Sequence, residues 1–308
     1  MKIFVLGGTG LIGGALVSSL TSRADEVVLL TRRPAHARER WGNQCTIVEG
    51  DPVKSGPWME AVKDCDAVIN LVGESIFARR WNEEFKALLR ESRINSTQNV
   101  VRALMQSPKA STTGKPKVLV NGSAIGFYGP CGDEELTEEA LAGSDMLAQL
   151  ALEWEQAASL AETAGIRVAR IRTGVVLDKE GGALPQMLTP FKLGLGGPIG
   201  SGKHWFSWIH IKDEIGIILL ALDHPGAVGA INATASHPVT NKAFSKALGR
   251  ALQRPAILPV PPFMLRVLLG QVAEILTTGQ RVIPAKALAL GYQFKFPEID
   301  PALRDLLG

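Results

Sequence analysis

Three glycines near the start of the chain have the spacing of a loop that holds a phosphate group. Gly7, Gly10 and Gly13 follow the apolar run 2–6 and precede a segment with helical periodicity. In such a loop the first glycine makes a tight turn, the second lets backbone approach a pyrophosphate, and the third lets helix and strand pack closely. The N–H groups that begin the helix point at the phosphates. The pattern predicts a dinucleotide site formed by Gly7, Thr9, Gly10, Leu11, Ile12 and Gly13.

Two arginines follow the second apolar run, at the position that distinguishes NAD from NADP. In an NAD site, a carboxylate at the end of the second strand accepts hydrogen bonds from the ribose hydroxyls. Here the sequence reads Thr31-Arg32-Arg33, and guanidinium groups suit a 2′-phosphate because they offer a planar fork of donors. We therefore predict NADP(H) as the cofactor, while arginines that are simply exposed to solvent remain the alternative.

Other polar and small residues occupy positions that would face this cofactor. Asp51 follows the third apolar run and either faces the adenine amino group or caps the next helix. Leu71, Val72 and Gly73 follow the fourth run, where they either flank the ribose and pyrophosphate or simply end a core strand. Arg93 lies within a long helical segment, and either forms a surface salt bridge or reaches the cofactor.

The composition excludes several classes of protein. The chain has 308 residues, 46% of them apolar, and a formal net charge of only +3 without a basic tract, which argues against nucleic-acid or membrane-surface partners. No apolar run approaches the roughly 20 residues of a membrane span. The apolar strand at residue 2 leaves no room for a signal peptide, so we expect a cytoplasmic location. The 3 cysteines and 5 histidines lack the spacing of metal ligands, and we expect no metal site.

Short apolar runs alternate with helical segments, which predicts an α/β fold with a doubly wound parallel sheet. We expect a dinucleotide-binding domain over residues 1–172 and a smaller mixed α/β lobe over 173–308 that covers the cofactor and could return strands to the main sheet. A polar loop is predicted over 111–116, and a helix over 144–164 with Ser144 as its N-cap. The predicted second, third and fourth strands are Glu26 to Thr31, Cys45 to Glu49 and Asp66 to Leu71.

Together these motifs resemble the extended short-chain dehydrogenase/reductase and sugar-nucleotide epimerase superfamily. More narrowly, the chain is similar to the atypical epimerase-family proteins labelled YfcH-like, whose C-terminal module of unknown function matches about residues 254–301 here. The resemblance implies an NADP-binding Rossmann fold, no established substrate for most members, and a link of some members to cell division. The segments that carry it are the glycine loop 7–13, residues 50–51, 70–74, 80–82, 123–124, 128–129 and 172–177, the glycine-rich block 194–202, and 208–211.

The resemblance also implies a serine that holds the reacting oxygen, a tyrosine that acts as acid and base, and a lysine four residues later that lowers the pKa of the tyrosine. Ser123 matches the serine. If Glu155 is aligned with the glutamate that often follows the lysine, Leu147 and Ala151 occupy the tyrosine and lysine positions, so the pair is missing. Tyr128 matches a tyrosine that normally lines the substrate pocket.

Two functions follow from these residues. The first is an NADP-dependent oxidoreductase or epimerase that acts on a small polar or nucleotide-linked substrate, with Ser123 and Tyr128 orienting the reacting oxygen, or with Glu74, Lys86 or His210 moving the proton. The second is a non-catalytic NADP(H)-binding regulator or redox sensor, linked to cell division, that has lost the acid and base. A homodimer is left open by the sequence.

Overall fold

The computed structural model describes residues 1–107 and 117–308, so the predicted loop 111–116 lies outside the described residues. The strands are β1 (Lys2–Leu6), β2 (Glu26–Thr31), β3 (Cys45–Glu49), β4 (Ala67–Asn70), β5 (Val118–Ala124), β6 (Glu135–Leu136), β7 (Arg167–Thr173), β8 (Val175–Leu177), β9 (Trp205–Phe206), β10 (Trp208–His210), β11 (Gly229–Ala233), β12 (Val239–Thr240) and β13 (Arg281–Val282). The α-helices are α1 (Leu11–Ser22), α2 (Pro34–Trp41), α3 (Glu60–Lys63), α4 (Glu83–Met105), α5 (Met146–Ser159), α6 (Ala183–Lys192), α7 (Ile211–Asp223), α8 (Asn241–Leu252), α9 (Pro262–Leu269), α10 (Ala273–Thr277), α11 (Ala285–Ala289) and α12 (Ile299–Leu307).

Seven parallel strands form the central sheet, in the order β11-β7-β5-β4-β1-β2-β3. Strand β1 pairs with β2 on one side and with β4 on the other, so that Leu6 lies opposite both Leu30 and Asn70. The order reverses at β1, and the carboxyl ends of all seven strands meet at one edge. This is the doubly wound, Rossmann-like sheet that the sequence predicts, and the edge is where such folds bind ligands.

Both faces of the sheet are covered by helices because the strands are apolar on both sides. Alternate residues of β1 point to opposite faces. Ile3 and Val5 pack in the cluster that contains α1 and α7, whereas Phe4 and Leu6 pack in the cluster that contains α3 and α4. None of the helices in the described residues is long and apolar enough to cross a membrane.

The C-terminal part of the chain returns to the main sheet and also builds a core of its own. Strand β11 lies at the sheet edge beside β7. A separate apolar cluster joins α6, α8 and α12 around the fully buried Trp208. The glycine-rich block 194–202 runs beside residues 258–260, since Gly200 N donates to Val260 O at 2.9 Å and Val260 N donates to Pro198 O at 2.9 Å.

Helix α5 begins two residues later than the sequence predicts, and its N-cap is Asp145 instead of Ser144. The Asp145 carboxylate accepts hydrogen bonds from Leu147 N at 2.8 Å and Ala148 N at 3.0 Å. Both residue types cap helices well, so composition alone does not choose between two neighbouring candidates. The choice follows from which side chain reaches the free N–H groups.

Gly197 tests how tightly the glycine-rich block packs. A Cβ atom at this position would lie 2.1 Å from Leu258 O, so Gly197→Ala forces backbone to move. We expect the free energy of unfolding to fall by about 2 kcal/mol, with a loss of several degrees in Tm. Gly132→Ala is the control because a Cβ there meets nothing within 4 Å. Equal melting temperatures for the two variants, measured by circular dichroism, would contradict this packing.

Candidate cofactor site

The glycine loop lies at the carboxyl edge of the sheet and is held by backbone contacts that exclude side chains. Gly7 has a φ of +78°, and a Cβ there would lie 2.8 Å from both the carbonyl carbon and the carbonyl oxygen of Leu71. A Cβ on Gly13 would lie 2.2 Å from Gly7 O. The loop therefore touches the end of β4 on one side and the first turn of α1 on the other, and glycine is required for both approaches.

The start of α1 offers free backbone donors. Gly10 is the N-cap, and no side chain caps this end of the helix. Thr9 and Gly10 are exposed, and Leu11 and Ile12 are half-buried. The uncapped N–H groups and the positive end of the helix dipole form a site that fits a pyrophosphate.

The end of β2 carries the two arginines of the predicted 2′-phosphate site. Both Arg32 and Arg33 are exposed, and within residues 1–107 and 117–308 neither guanidinium forms a hydrogen bond or an ion pair. The Thr31 hydroxyl accepts a hydrogen bond from Arg33 N at 3.0 Å, which fixes the turn that follows the strand. Asp51 lies after the neighbouring strand β3, and its carboxylate accepts from Val53 N at 3.1 Å. Asp51 thus caps its own turn.

Leu71, Val72 and Gly73 follow β4 directly beside the glycine loop. Arg93 of α4 reaches this segment, where its guanidinium donates to Glu74 O at 2.9 Å and to Leu89 O at 3.0 Å. Burial lowers the pKa of Arg93 to about 10, so the side chain stays charged at neutral pH. These bonds indicate that Arg93 fixes the backbone beside the glycine loop, at the carboxyl edge of the sheet (called the cofactor edge below). No carboxylate among the described residues forms an ion pair with Arg93.

Ser123 lies near the end of β5, at the same edge, and is hydrogen-bonded to the buried ion pair of Glu155 and Arg172. Its hydroxyl donates to Glu155 Oε1 at 2.7 Å. Arg172 of β7 donates to the same oxygen from Nε at 2.8 Å and to Glu155 Oε2 from Nη2 at 3.0 Å. All three side chains are buried. A paired and fully hydrogen-bonded arrangement of this kind offsets the cost of removing two charges from water.

Tyr128 belongs to the same network. Its hydroxyl donates to Asn232 Oδ1 at 2.6 Å and accepts from Arg172 Nη1 at 2.9 Å. The side chain is only 2% exposed. Burial raises the pKa of Tyr128 above its ordinary value, an effect larger than the opposing effect of the Arg172 charge. Tyr128 is therefore neutral at physiological pH, and its one hydroxyl proton is already donated to Asn232.

The positions of the missing tyrosine and lysine are filled by apolar packing. Leu147 in the first turn of α5 lies against Gly126, where a Cβ would be 3.6 Å from the Leu147 Cβ. Ala151 is buried in a small cluster with Phe127, Leu136 and Val282. A lysine at position 151 would place its charge among these apolar side chains.

The three alternative proton carriers lie in different surroundings. His210 is fully buried, and its Nδ1 accepts from Lys212 N at 3.0 Å, so the ring caps α7. Burial lowers the pKa of His210. Lys86 pairs with Glu83 at 2.8 Å on the first turn of α4. Glu74 lies in the loop beside Gly73, where its backbone N–H donates to the Ser92 hydroxyl at 3.1 Å.

One buried acid escaped the sequence analysis. Glu214 in the first turn of α7 is 0% exposed, and its Oε1 accepts from the Thr173 hydroxyl at 2.8 Å at the end of β7. Oε2 has no hydrogen-bond partner in the described part of the chain. Desolvation raises the pKa of Glu214 to about 8, so the carboxyl is mostly protonated at neutral pH.

Sequence reasoning also missed the partners of Ser123 and Tyr128. Asn232 stands among small and apolar residues in β11, and Arg172 is one of three arginines in β7; a polar side chain in a buried strand signals a specific partner. The partner itself is not encoded locally, because Tyr128 and Asn232 are 104 residues apart in sequence.

Replacing Glu214 with glutamine tests its buried state. A carboxyl whose pKa is raised from 4.5 to about 8 on folding makes stability fall as pH rises between these two values, because only the folded state keeps the proton. We expect Glu214→Gln to gain about 3 kcal/mol over the native protein near pH 7, and little near pH 4.5. Urea unfolding across this range measures the difference. The exposed Glu139→Gln is the control, and parallel pH profiles for all three proteins would contradict the assignment.

Comparison with known proteins identifies the family. A model described as the NAD dependent epimerase/dehydratase family matches residues 3–233, and a domain of unknown function, DUF1731, matches residues 260–306. Epimerase family protein SDR39U1 of Mus musculus is 39% identical over 312 residues, covering 100% of both chains. Epimerase family protein YfhF of Bacillus subtilis (strain 168) is 39% identical over 309 residues, covering 100% of this chain and 98% of the relative.

Among solved structures, the crystal structure of human epimerase family protein SDR39U1 (isoform2) with NADPH has a TM-score of 0.87 and 37% identity, covering 100% of this chain and 99% of that chain. The sequence resemblance to epimerase-family proteins is thereby confirmed. The chain belongs to the NAD-dependent epimerase/dehydratase family and carries the C-terminal domain DUF1731.

Proposed function

We propose that this protein binds NADP(H) along the carboxyl edge of its sheet. The support is a continuous set of fitting groups: a glycine cradle that side chains would fill, an uncapped N-terminus on α1, and two exposed arginines at the end of β2. The absence of a carboxylate at the end of β2 favours the phosphorylated cofactor. The human relative that was crystallised with NADPH aligns over the whole chain.

Each group has a separate task in this proposal. The N–H groups at the start of α1 bind the pyrophosphate, and Arg32 with Arg33 binds the 2′-phosphate by charge-assisted hydrogen bonds. Leu71, Val72 and Gly73 provide a smooth backbone surface beneath the cofactor, and Arg93 holds that surface in place. When bound, NADP(H) supplies hydride-transfer capacity at its nicotinamide ring.

We further propose that the chain acts as an NADP(H)-binding regulator or redox sensor. The observation that carries this proposal is the commitment of both candidate hydroxyls: Ser123 donates to Glu155, and Tyr128 donates to Asn232. General acid catalysis needs a group within hydrogen-bond reach of the substrate and a pKa near the working pH. Tyr128 meets neither requirement, because its side chain is buried away from solvent and its pKa is raised above the ordinary value.

The second candidate is an NADP-dependent oxidoreductase or epimerase that acts on a small polar or nucleotide-sugar substrate. The position of Ser123 favours it, because this serine lies near the end of β5 at the cofactor edge, where a substrate oxygen would lie beside the nicotinamide. Here Ser123 and Tyr128 would orient the reacting oxygen, which requires Ser123 to exchange its bond with Glu155 for one with the substrate.

The cofactor assignment is tested by the affinities for NADPH and NADH. We expect Arg32→Ala and Arg33→Ala each to weaken NADPH binding about tenfold and to leave NADH binding nearly unchanged, because each loses one cationic partner of the 2′-phosphate. Arg102→Ala is the control, since Arg102 is exposed near the end of α4, away from the glycine loop. Fluorescence titration measures both affinities. Tighter binding of NADH than NADPH, insensitive to Arg32→Ala, would refute NADP(H).

The choice between sensor and enzyme is tested by cofactor turnover. Under the sensor proposal, NADPH binds but its absorbance stays constant when carbonyl compounds and sugar nucleotides are added. A substrate-dependent loss of absorbance that disappears in both Ser123→Ala and Tyr128→Phe would instead establish the enzyme. Epimerisation without net oxidation is followed by chromatography of the sugar nucleotides with the same two variants.

A further inference from the structure

We propose that Arg172 is a positioning residue that couples the cofactor edge to the C-terminal segment 281–286, so that NADP(H) binding makes local opening of this segment less frequent. The inference rests on the proposed binding of NADP(H). In this proposal Arg172 and Tyr128 take no part in a reaction. They pass a structural change at the cofactor edge on to the C-terminal segment.

A continuous chain of hydrogen bonds supports this coupling. It begins at Ser123 on the cofactor edge, passes through Glu155 and Arg172 to Tyr128, and continues to Asn232 at 2.6 Å. Asn232 Nδ2 then donates to Ile283 O at 3.0 Å. All five side chains in this series are at most 5% exposed, so water does not compete for their hydrogen bonds.

A second set of hydrogen bonds, through Glu138, joins Arg172 to the segment 281–286. Glu138 Oε1 accepts from Asn232 N at 2.9 Å, and both oxygens of Glu138 accept from Lys286 N at 3.2 Å. Arg172 Nη1 in turn donates to Glu138 O at 3.3 Å. The backbone at residues 283 and 286 is thus tied to Arg172 along two routes, through Asn232 and through Glu138.

The geometry of Arg172 makes it the centre of this network. Its guanidinium donates from Nε and Nη2 to the Glu155 carboxylate and from Nη1 to the Tyr128 hydroxyl, and its Cζ lies 3.5 Å from the centroid of the Phe127 ring. A planar, rigid guanidinium that is hydrogen-bonded to Glu155 on one side and to Tyr128 on another moves only with these partners. Glu155 Oε1 is shared by Ser123 and Arg172, so a ligand that repositions Ser123 changes the bond that orients the guanidinium.

A matched arginine separates coupling from simple stabilisation. Arg167 lies on the same strand β7, roughly 17 Å away toward the opposite edge of the sheet. Its guanidinium also holds backbone in place, because it donates hydrogen bonds to the carbonyl oxygens of Ala221, Leu222 and Ala227. Arg167→Lys should therefore lower stability much as Arg172→Lys does, without touching the route from Ser123 to Ile283.

The experiment is amide hydrogen exchange with and without saturating NADPH, applied to the full chain. In the native protein we expect NADPH to slow exchange about fivefold or more both at residues 7–14 and at residues 282–286. In Tyr128→Phe, which keeps the ring but cuts the bond to Asn232, the protection should persist at 7–14 and weaken about twofold or more at 282–286, because the route through Glu138 remains. Arg172→Lys, which removes the guanidinium at the start of both routes, should keep the protection at 7–14 and abolish it at 282–286, whereas Arg167→Lys should keep both effects.

Each other outcome overturns the inference. Undiminished protection of residues 282–286 in Tyr128→Phe, or protection there that survives in Arg172→Lys, refutes the route through Arg172. Protection at 7–14 without any at 282–286 in the native protein refutes the coupling while leaving cofactor binding intact. Absence of protection at 7–14 refutes NADP(H) binding itself, and the coupling with it. If Arg172→Lys fails to fold, Tyr128→Phe alone decides the matter.

Discussion

A buried guanidinium and a buried carboxylate must be fully hydrogen-bonded, because an unpaired charge in the interior costs several kcal/mol. Arg172 and Glu155 meet this requirement by recruiting neutral neighbours: Ser123 donates to the carboxylate, and the Tyr128 hydroxyl accepts from the guanidinium. The requirement therefore dictates where the end of β5, the turn after it, helix α5 and strand β7 lie relative to one another. The C-terminal segment joins this arrangement through Asn232 and Glu138.

The same network explains how the protein differs from what its fold suggests. The hydroxyl groups that match those of the superfamily are present, but Ser123 donates its proton to Glu155 and Tyr128 donates its proton to Asn232. Where a lysine would lie, Ala151 completes an apolar cluster with residues from β6 and β13. In this structure Ser123 and Tyr128 therefore belong to one buried hydrogen-bond network with Glu155 and Arg172.

The cofactor edge depends on a different physical constraint, the close approach of backbone to backbone. Gly7 against Leu71 and Gly13 against Gly7 leave no room for a Cβ atom, and these contacts hold the start of α1 beside the end of β4. The loop is rigid for this reason, while the N–H groups and the two arginines around it stay without partners in the described structure. A preformed site of this kind loses little conformational entropy when it binds a ligand.

The sequence by itself determined the parallel sheet and the glycine loop at its carboxyl edge. Strands β2 and β3 coincide with the predicted runs, because buried parallel strands are continuously apolar and the glycine spacing is a local backbone requirement. Only the tertiary structure decided the partners of Ser123 and Tyr128, the cap of α5, and the buried state of Glu214. The cap is a choice between two adjacent residues that the composition does not make, whereas the partners depend on side chains that are far apart in sequence, such as Tyr128 and Asn232. Local patterns reveal that a buried polar residue needs a partner without revealing which one it meets.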